Sequence, residues 1–414
     1  MSKRMEMLKE TILRLNPHWE DGFFYNFPLK REAFNRIVST LSHPLIITLI
    51  GPRRVGKTVL MKQIINHLIS EGYSRKNILF FSFDEEIKEP LELLTAWEEI
   101  TGRKIRGNNF FIFFDEIQKL ENWATKIKLI YDNLGIKIFL SGSASLEVRK
   151  GSESLAGRSM DMSIKPLSFE EYLMFTGKQH SEIEEEEWKN YLFYIHRQLP
   201  ELAIYPSLDS KEYLTSIVKK VIYEDAKRYY GVEESDVIEG IFKLICRDPG
   251  QIISISDLAK DFGISRVTAS NYLHALEKSF LVRKLYNFSK NARKIEVKAK
   301  KYYPYYTSLT DYVGIIDFSK LAETEVAWKS EAEFFWNDRG KEIDFITDSG
   351  STGIEVKTRK TIDEKDVKWL IENRIGLKKR ILIVPPDSHL DMEERQLSVI
   401  KLHEFEYRYK SSNM

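Results

Sequence analysis

Gly51-Pro52-Arg53-Arg54-Val55-Gly56-Lys57-Thr58 decides how the first part of this chain is read. It matches G-x-x-x-x-G-K-[ST] at every fixed position. Glycines at the fixed positions let the backbone turn tightly, so that its N–H groups can wrap phosphate oxygens. A lysine following them reaches the outer phosphates, and a threonine hydroxyl is placed to meet Mg2+. Such a loop works between a strand and the positive N-terminal end of a helix. The flanks supply both: residues 45–49 are an apolar run interrupted only by Thr48, and residues 57–70 read as a helix. Gly51, Pro52, Arg53, Arg54, Val55, Gly56, Lys57 and Thr58 are therefore the candidate ATP-binding residues, with Thr58 also a candidate Mg2+ ligand.

Working outward, strands are expected at 77–83, 110–114 and 136–140, with helices at 89–101 and 122–133. Alternation of this kind predicts an α/β fold with a mostly parallel sheet and helices on both faces. The third strand runs into Asp115-Glu116. The C-terminal strand ends of a parallel sheet form its ligand edge, so Asp115 is a candidate metal ligand and Glu116 the group that would polarise an attacking water. The next strand ends in Ser141-Gly142-Ser143, and Ser143 or Ser141 is the candidate γ-phosphate sensor. Arg158, in Leu155-Ala156-Gly157-Arg158, is either a surface arginine or a group that stabilises transition-state charge, in this or a neighbouring subunit.

The motifs GPRRVGKT, FFDEIQ, SGSAS, LAGR and PLSFEEY, in this order and at these gaps, resemble prokaryotic AAA-type ATPases that carry a winged helix and a restriction-endonuclease-like C-terminal region. The resemblance implies an AAA-like sheet and ATP with Mg2+ as ligand. Arg197-Gln198-Leu199-Pro200 departs from the family's glycine-rich turn before the middle helices. The expected organisation is an ATPase domain over 1–175, a helical connector over 176–237, a winged-helix domain over 238–310 and a small α/β restriction-endonuclease-like domain over 311–414.

Residues 255–260, with Ser256 as cap, then Gly263, then a helix from Ser265 to about Lys278 with Val267, Tyr272, Leu273 and Leu276 on its apolar side, read as a helix-turn-helix. Residues 281–286 and 295–303 are the expected wing strands. Between Lys260 and Lys301, eleven Lys/Arg stand against three acids, an excess of eight in a chain whose net charge is +1. A basic segment on a neutral protein is the footprint of nucleic acid, with Arg266, Thr268, Ser270 and Asn271 as candidate DNA-contacting residues. The alternative is a winged helix that docks protein. Residues 182–187, with five glutamates, read as a solvated loop or helix face.

Beyond Lys320 a helix is followed by strands at 333–336, 341–347 and 353–358, a helix at 364–373 and a strand at 380–384. Asp344 and Glu355-Val356-Lys357 fall on adjacent strands, and strand alternation puts Glu355 and Lys357 on one face. Two carboxylates and a lysine can hold Mg2+ and activate water against a phosphodiester. The arrangement resembles restriction-endonuclease-like enzymes, with Glu323 or Glu325 completing the set; the alternative is a salt-bridged hairpin.

Length and composition set the remaining bounds. With 414 residues, 43% apolar and 30% charged, the chain is expected to form two or three domains. One cysteine, Cys246, excludes an internal disulfide and fits a reducing cytoplasm. No apolar run of membrane-spanning length occurs, and the N-terminus lacks the apolar segment of a secretion signal. The expected partners are ATP and DNA, with a protein partner and self-association as further candidates and no membrane. Two functional readings follow: an ATP-hydrolysing protein that acts on DNA, or a nucleotide-controlled switch that remodels a protein.

Overall fold

The chain enters through α1 (Lys3–Leu15) and α2 (Glu32–Val38). It then runs β1 (Ile46–Ile50), α3 (Lys57–Ser70), β2 (Ile78–Ser82), α4 (Pro90–Thr101), β3 (Phe111–Asp115), α5 (Trp123–Leu134), β4 (Lys137–Gly142) and β5 (Ser159–Ser163). The computed structural model describes residues 3–85, 87, 89–143, 155–314, 316–373, 375–392 and 397–411. They divide into two units, Met1–Leu167 and Ser168–Met414. No described helix is long and apolar enough to cross a membrane.

In the first unit the five strands are parallel and ordered β2-β3-β4-β1-β5. Every residue of β1 and β3 is buried, as an apolar run covered on both faces requires. Phe113 and Phe139 stack across β3 and β4 with centroids 4.5 Å apart. The C-terminal ends of β1, β3 and β4 align along one edge, and the loop 51–56, Asp115 and Ser141 all lie there. The expected strands differ from the observed ones by a residue or two at each end. β5 went unpredicted: it is an edge strand with one buried residue, Met162, and no apolar run. Ala144 and Ser145 of the SGSAS motif lie outside the described residues.

The second unit opens with helices α6 (Phe169–Phe175), α7 (Glu184–Tyr194), α8 (Pro200–Ile204), α9 (Ser210–Lys220), a π-helical turn (Val221–Ala226), α10 (Lys227–Tyr230) and α11 (Ser235–Arg247). Next come β6 (Gln251–Ile253), α12 (Ile255–Asp261), α13 (Arg266–Lys278), β7 (Val282–Asn287), α14 (Ala292–Val297) and β8 (Lys300–Pro304). The chain closes with α15 (Phe318–Lys329), β9 (Phe334–Asp338), β10 (Lys341–Thr347), β11 (Thr352–Val356), β12 (Thr361–Asp363), α16 (Lys368–Ile371), β13 (Lys379–Val384), β14 (His389–Asp391), β15 (Ser398–Lys401) and α17 (Phe405–Ser411). β12 and β14 pair with each other; the other strands form one eight-stranded sheet, ordered β15-β13-β11-β10-β9-β7-β8-β6. Strands β6–β8 and the C-terminal strands are thus one sheet, joined where β7 pairs with β9 through Tyr286–Phe334 and Asn287–Phe335.

Several local expectations are corrected. The cap of α12 is Ser254, whose hydroxyl accepts from the Asp257 amide, not Ser256. Ser265 does cap α13, accepting from the Thr268 amide. Val267 is not on the apolar side: it is 70% exposed, while Tyr272, Leu273 and Leu276 are buried. The strand expected at 295–303 is shorter, because Asn291 caps the short helix α14 and only Lys300–Pro304 is extended. The expected helix at 364–373 reduces to Lys368–Ile371, because Thr361–Asp363 pairs with His389–Asp391 and the chain leaves that strand through a turn at 364–367. Glu187 of the glutamate run is buried and accepts from the Ser181 amide at 3.0 Å.

Candidate functional site

The loop after β1 leads directly into α3, capped by Gly56 in the left-handed region at φ 93°. Gly51 is demanded by a close approach: a Cβ there would lie 2.0 Å from the Ile164 carbonyl oxygen. Lys57 is buried, and its Nζ donates to the carbonyls of Gly51 at 2.9 Å and Pro52 at 2.7 Å, which sets the ammonium at the mouth of the loop. Thr58 Oγ1 donates to Asp115 Oδ2 at 2.7 Å, and Ser141 Oγ donates to Asp115 Oδ1. Burial pushes the Asp115 carboxyl above its ordinary value, while the Ser141 and Thr58 bonds and the nearby Lys57 charge pull the other way.

Glu116 follows at φ 53°, a left-handed backbone that turns its side chain away from the strand direction. Its Oε2 accepts from Gln118 Nε2 and, at 3.3 Å, from Ser143 Oγ. The two serine candidates divide the carboxylates between them: Ser141 bonds that of Asp115 and Ser143 that of Glu116, while Ser141 Oγ also accepts from the Glu116 amide at 3.4 Å. Gln118 escaped the sequence reading, although it stands in the FFDEIQ motif. So did Arg31, a buried arginine whose Nη1 donates to the Val55 carbonyl at 2.6 Å and whose Nη2 donates to the carbonyls of Lys165 at 2.9 Å and Pro166 at 3.2 Å. It ties the loop to the segment after β5, and its setting in an irregular stretch gave no signal. Arg158 does not join this group. It precedes β5 next to Ile46, at the N-terminal edge of the sheet, and pairs with Asp132 at 2.8 Å. Five residues of strand, roughly 16 Å, separate it from its own loop, so the structure does not bring it to the loop of its own chain.

Of the candidate DNA-contacting residues, Arg266, Ser270 and Asn271 are exposed on α13. Thr268 is half-buried, and its hydroxyl bonds Ser265 at 2.9 Å. The basic excess is smaller at the surface than in the sequence. Lys284 pairs with Glu277 at 2.9 Å, and Lys301 points inward. Lys260, Arg266, Lys290, Arg293, Lys294 and Lys298 make no ion pair among the described residues.

Asp344 and Glu355 stand opposite each other, in the register that pairs Phe345 with Ile354. The Val356 amide donates to Asp344 Oδ2 at 2.9 Å, and Lys357 Nζ donates to Glu355 Oε1 at 2.6 Å. A shift of register between Ile343 and Ile346 breaks the β9–β10 ladder at Asp344, the kind of bulge that re-aims a side chain. Glu323 faces this group and Glu325 does not. Glu325 is buried elsewhere, accepting from Gln198 at 2.7 Å, Trp328 at 2.9 Å and Thr307 at 2.5 Å. Gln198, part of the departure at 197–200, therefore has a buried partner. Lys301 and Tyr303, on one face of β8, reach the same cluster. Lys301 Nζ lies 2.6 Å from Glu342 and 3.3 Å from Glu323, and the Tyr303 hydroxyl donates to Glu323 at 2.5 Å. Burial pushes the carboxyls of Asp344 and Glu355 upward, reinforced by Glu323 at Asp344 and by Asp344 at Glu355. Burial lowers Lys301, yet Glu323, Asp344 and Glu342 together raise it above its ordinary value. Among the described residues no three His, Cys, Asp or Glu side chains converge as a preformed metal cage.

The sheet order, the loop and its acids define the first unit as a P-loop α/β domain. Residues 43–173 match the family model of an AAA domain, and residues 194–319 match that of a domain of unknown function. An uncharacterized protein of Methanocaldococcus jannaschii is 26% identical over 342 residues, 75% of this chain and 71% of its own length. A second from the same organism is 30% identical over 286 residues, 64% of this chain and 62% of its own length. Among solved structures, AMPPCP-bound DnaA from Aquifex aeolicus is similar at 16% identity and a TM-score of 0.31, over 64% of this chain and 92% of that one.

Proposed function

We propose that the first unit binds ATP with Mg2+ and hydrolyses it, and that the second unit acts on DNA through its winged helix. The observation that carries the first half is the bond from Thr58 to Asp115, made beside the Lys57 ammonium at the start of α3. A hydroxyl and one buried carboxylate suit a hard cation that keeps several waters and takes its other oxygens from phosphate. Thr58 and Asp115 would hold Mg2+, which supplies charge neutralisation at the phosphates when bound. Lys57 and the loop amides bind the triphosphate. Glu116, oriented by Gln118 and Ser143, holds and polarises the attacking water. Ser141 keeps the Asp115 carboxylate in place.

In the second unit, the exposed Ser270 and Asn271 and the six basic residues, Arg266 among them, that make no ion pair among the described residues support DNA as the partner. Asp344 and Glu355 would hold a second Mg2+ for phosphodiester hydrolysis, with Lys357 beside the reacting phosphate. The rival reading is a protein partner. The exposed valines of this region favour it, Val267 at 70% and Val297 at 74%.

One assay separates these readings: ATP turnover measured with and without duplex DNA at about 50–100 mM salt, where phosphate contacts are strong. Turnover that rises with DNA and is lost in Lys57→Ala supports the proposal. Absence of DNA binding rejects the DNA half. DNA cutting that persists unchanged in Lys357→Ala rejects the hydrolytic assignment.

A further inference from the structure

The phosphate loop is held from outside by a residue that its motif does not contain. Arg31 stands at the N-cap of α2, and the run that leads to it is fastened along α3. Asn66 bonds both backbone groups of Tyr25, at 3.0 and 2.8 Å, and Gln63 Nε2 donates to the carbonyls of Phe27 at 2.9 Å and Leu29 at 2.8 Å. The guanidinium so placed is buried and forks. Nη1 donates to the Val55 carbonyl at 2.6 Å, and Nη2 to those of Lys165 and Pro166. Ile164, just before them, donates its amide to the Ile50 carbonyl at 2.7 Å and presses its own carbonyl on Gly51. Residues 164–166 are thus fixed to both ends of the loop, to its start by backbone packing and to Val55 by Arg31.

The Val55 carbonyl belongs to the same peptide unit as the Gly56 amide. In a trans peptide these two groups point in opposite directions, so a guanidinium fixed on the carbonyl also fixes the direction of the Gly56 N–H. That N–H has no backbone acceptor among the described residues. Gly56 sits at φ 93°, and a glycine left unrestrained would sample many other directions. A loop that cradles an anion binds it more tightly when its amides are aimed beforehand, because ordering them on binding costs affinity. We propose that Arg31 is a positioning residue for phosphate binding: it presets the Gly56 N–H toward the α- and β-phosphates of the nucleotide. The inference rests on the reading of the first unit as ATP-binding. Arginine suits the place because its planar fork serves the loop and residues 165–166 at once, which a single ammonium point charge does not.

Nucleotide affinity and turnover of the full-length chain test this. Arg31→Met is expected to weaken ATP and ADP alike by roughly tenfold to a hundredfold, the loss of one hydrogen bond to a charged group, because the loop amides cradle phosphates that both nucleotides carry. KM rises with the loss of affinity while kcat at saturating ATP stays within about threefold, the mark of lost binding rather than lost chemistry. A folded Arg31→Met chain with parental affinity for both nucleotides overturns the inference, and so does one that loses kcat with KM unchanged. A parent that binds neither nucleotide defeats the ATP-binding reading instead, and the inference with it. A spectroscopic readout separates positioning from mere support of the fold. The sequence has two Val-Gly steps, Val55-Gly56 and Val313-Gly314, so carbon-13 at valine carbonyls with nitrogen-15 at glycines singles out those amides by NMR. ADP moves the Gly56 signal of the parent and leaves that of Gly314. Arg31→Met moves the Gly56 signal before any nucleotide is added; an unmoved signal overturns the inference. Should Arg31→Met fail to fold, Arg31→Lys decides. It keeps the charge without the planar fork, and ADP is expected to bind at least about fivefold more weakly; parental affinity in Arg31→Lys overturns the inference.

Discussion

Gly51 has no room for a side chain, because a Cβ would press on the Ile164 carbonyl at 2.0 Å. Gly51→Ala is expected to cost about 2 kcal/mol or more, since a backbone atom cannot swing aside as a side chain can. Thermal unfolding with and without ATP measures both that cost and the accompanying loss of nucleotide stabilisation. Lys57→Ala removes the ammonium from the loop mouth and is expected to abolish ATP binding. Glu116→Gln leaves Lys57, Thr58 and Asp115 in place and is expected to bind ATP while hydrolysing it at least about a hundredfold more slowly. Parental turnover in Glu116→Gln would remove Glu116 from its assigned role. Asp115 carries a pH consequence. Burial raises its carboxyl, so protonation begins above the ordinary aspartate range, and Mg2+-dependent ATP affinity falls on acidification from neutral pH. Asp115→Asn is expected to show weak affinity without that slope.

At the level of elements, the sequence was most legible where one physical cause dominated. β1 and β3 are apolar runs buried on both faces, α3 follows its glycine loop, and α13 opens at Ser265; each was found within a residue or two. β5 was missed because an edge strand needs no apolar run. The inner face of β8 was missed because lysine reads as surface. Only the neighbouring acids Glu323 and Glu342, distant in sequence, turn Lys301 inward. The same fact corrects the charge count of the segment 260–301. Arg293→Ala and Lys294→Ala, on the exposed α14, are each expected to reduce the salt slope of DNA binding by about one, whereas Lys284→Ala, whose charge is paired with Glu277, leaves it nearly unchanged. β10 and β11 carry a stability signature. The carboxyls of Asp344 and Glu355 lie above their unfolded values, so their contribution is full below the ordinary carboxylate range and is lost as pH rises through the raised folded-state values. Stability of the second unit is expected to fall over that interval in the absence of divalent cations, and Glu355→Gln flattens the fall in denaturant titrations.

Taken as a molecule, the chain is two units with different relations between sequence and structure. The first could be read from its motifs, because Lys57, Thr58, Asp115, Glu116, Ser141 and Ser143 gather at the loop and the acids beside it, although Arg158 does not. The second could be read for its elements but less for their union. The pairing of β7 with β9 merges strands β6–β8 with the C-terminal strands, and a register of two residue pairs leaves little trace in composition. The far-edge setting of Arg158 bears on how the molecule works in numbers. Held by Asp132 on the side of the sheet opposite the loop, it can meet a triphosphate only on another copy. If it serves catalysis at all, dilution should lower turnover per chain more steeply than it lowers ATP occupancy. Mixing Arg158→Ala chains with Lys57→Ala chains, each inactive alone, should then restore part of the rate.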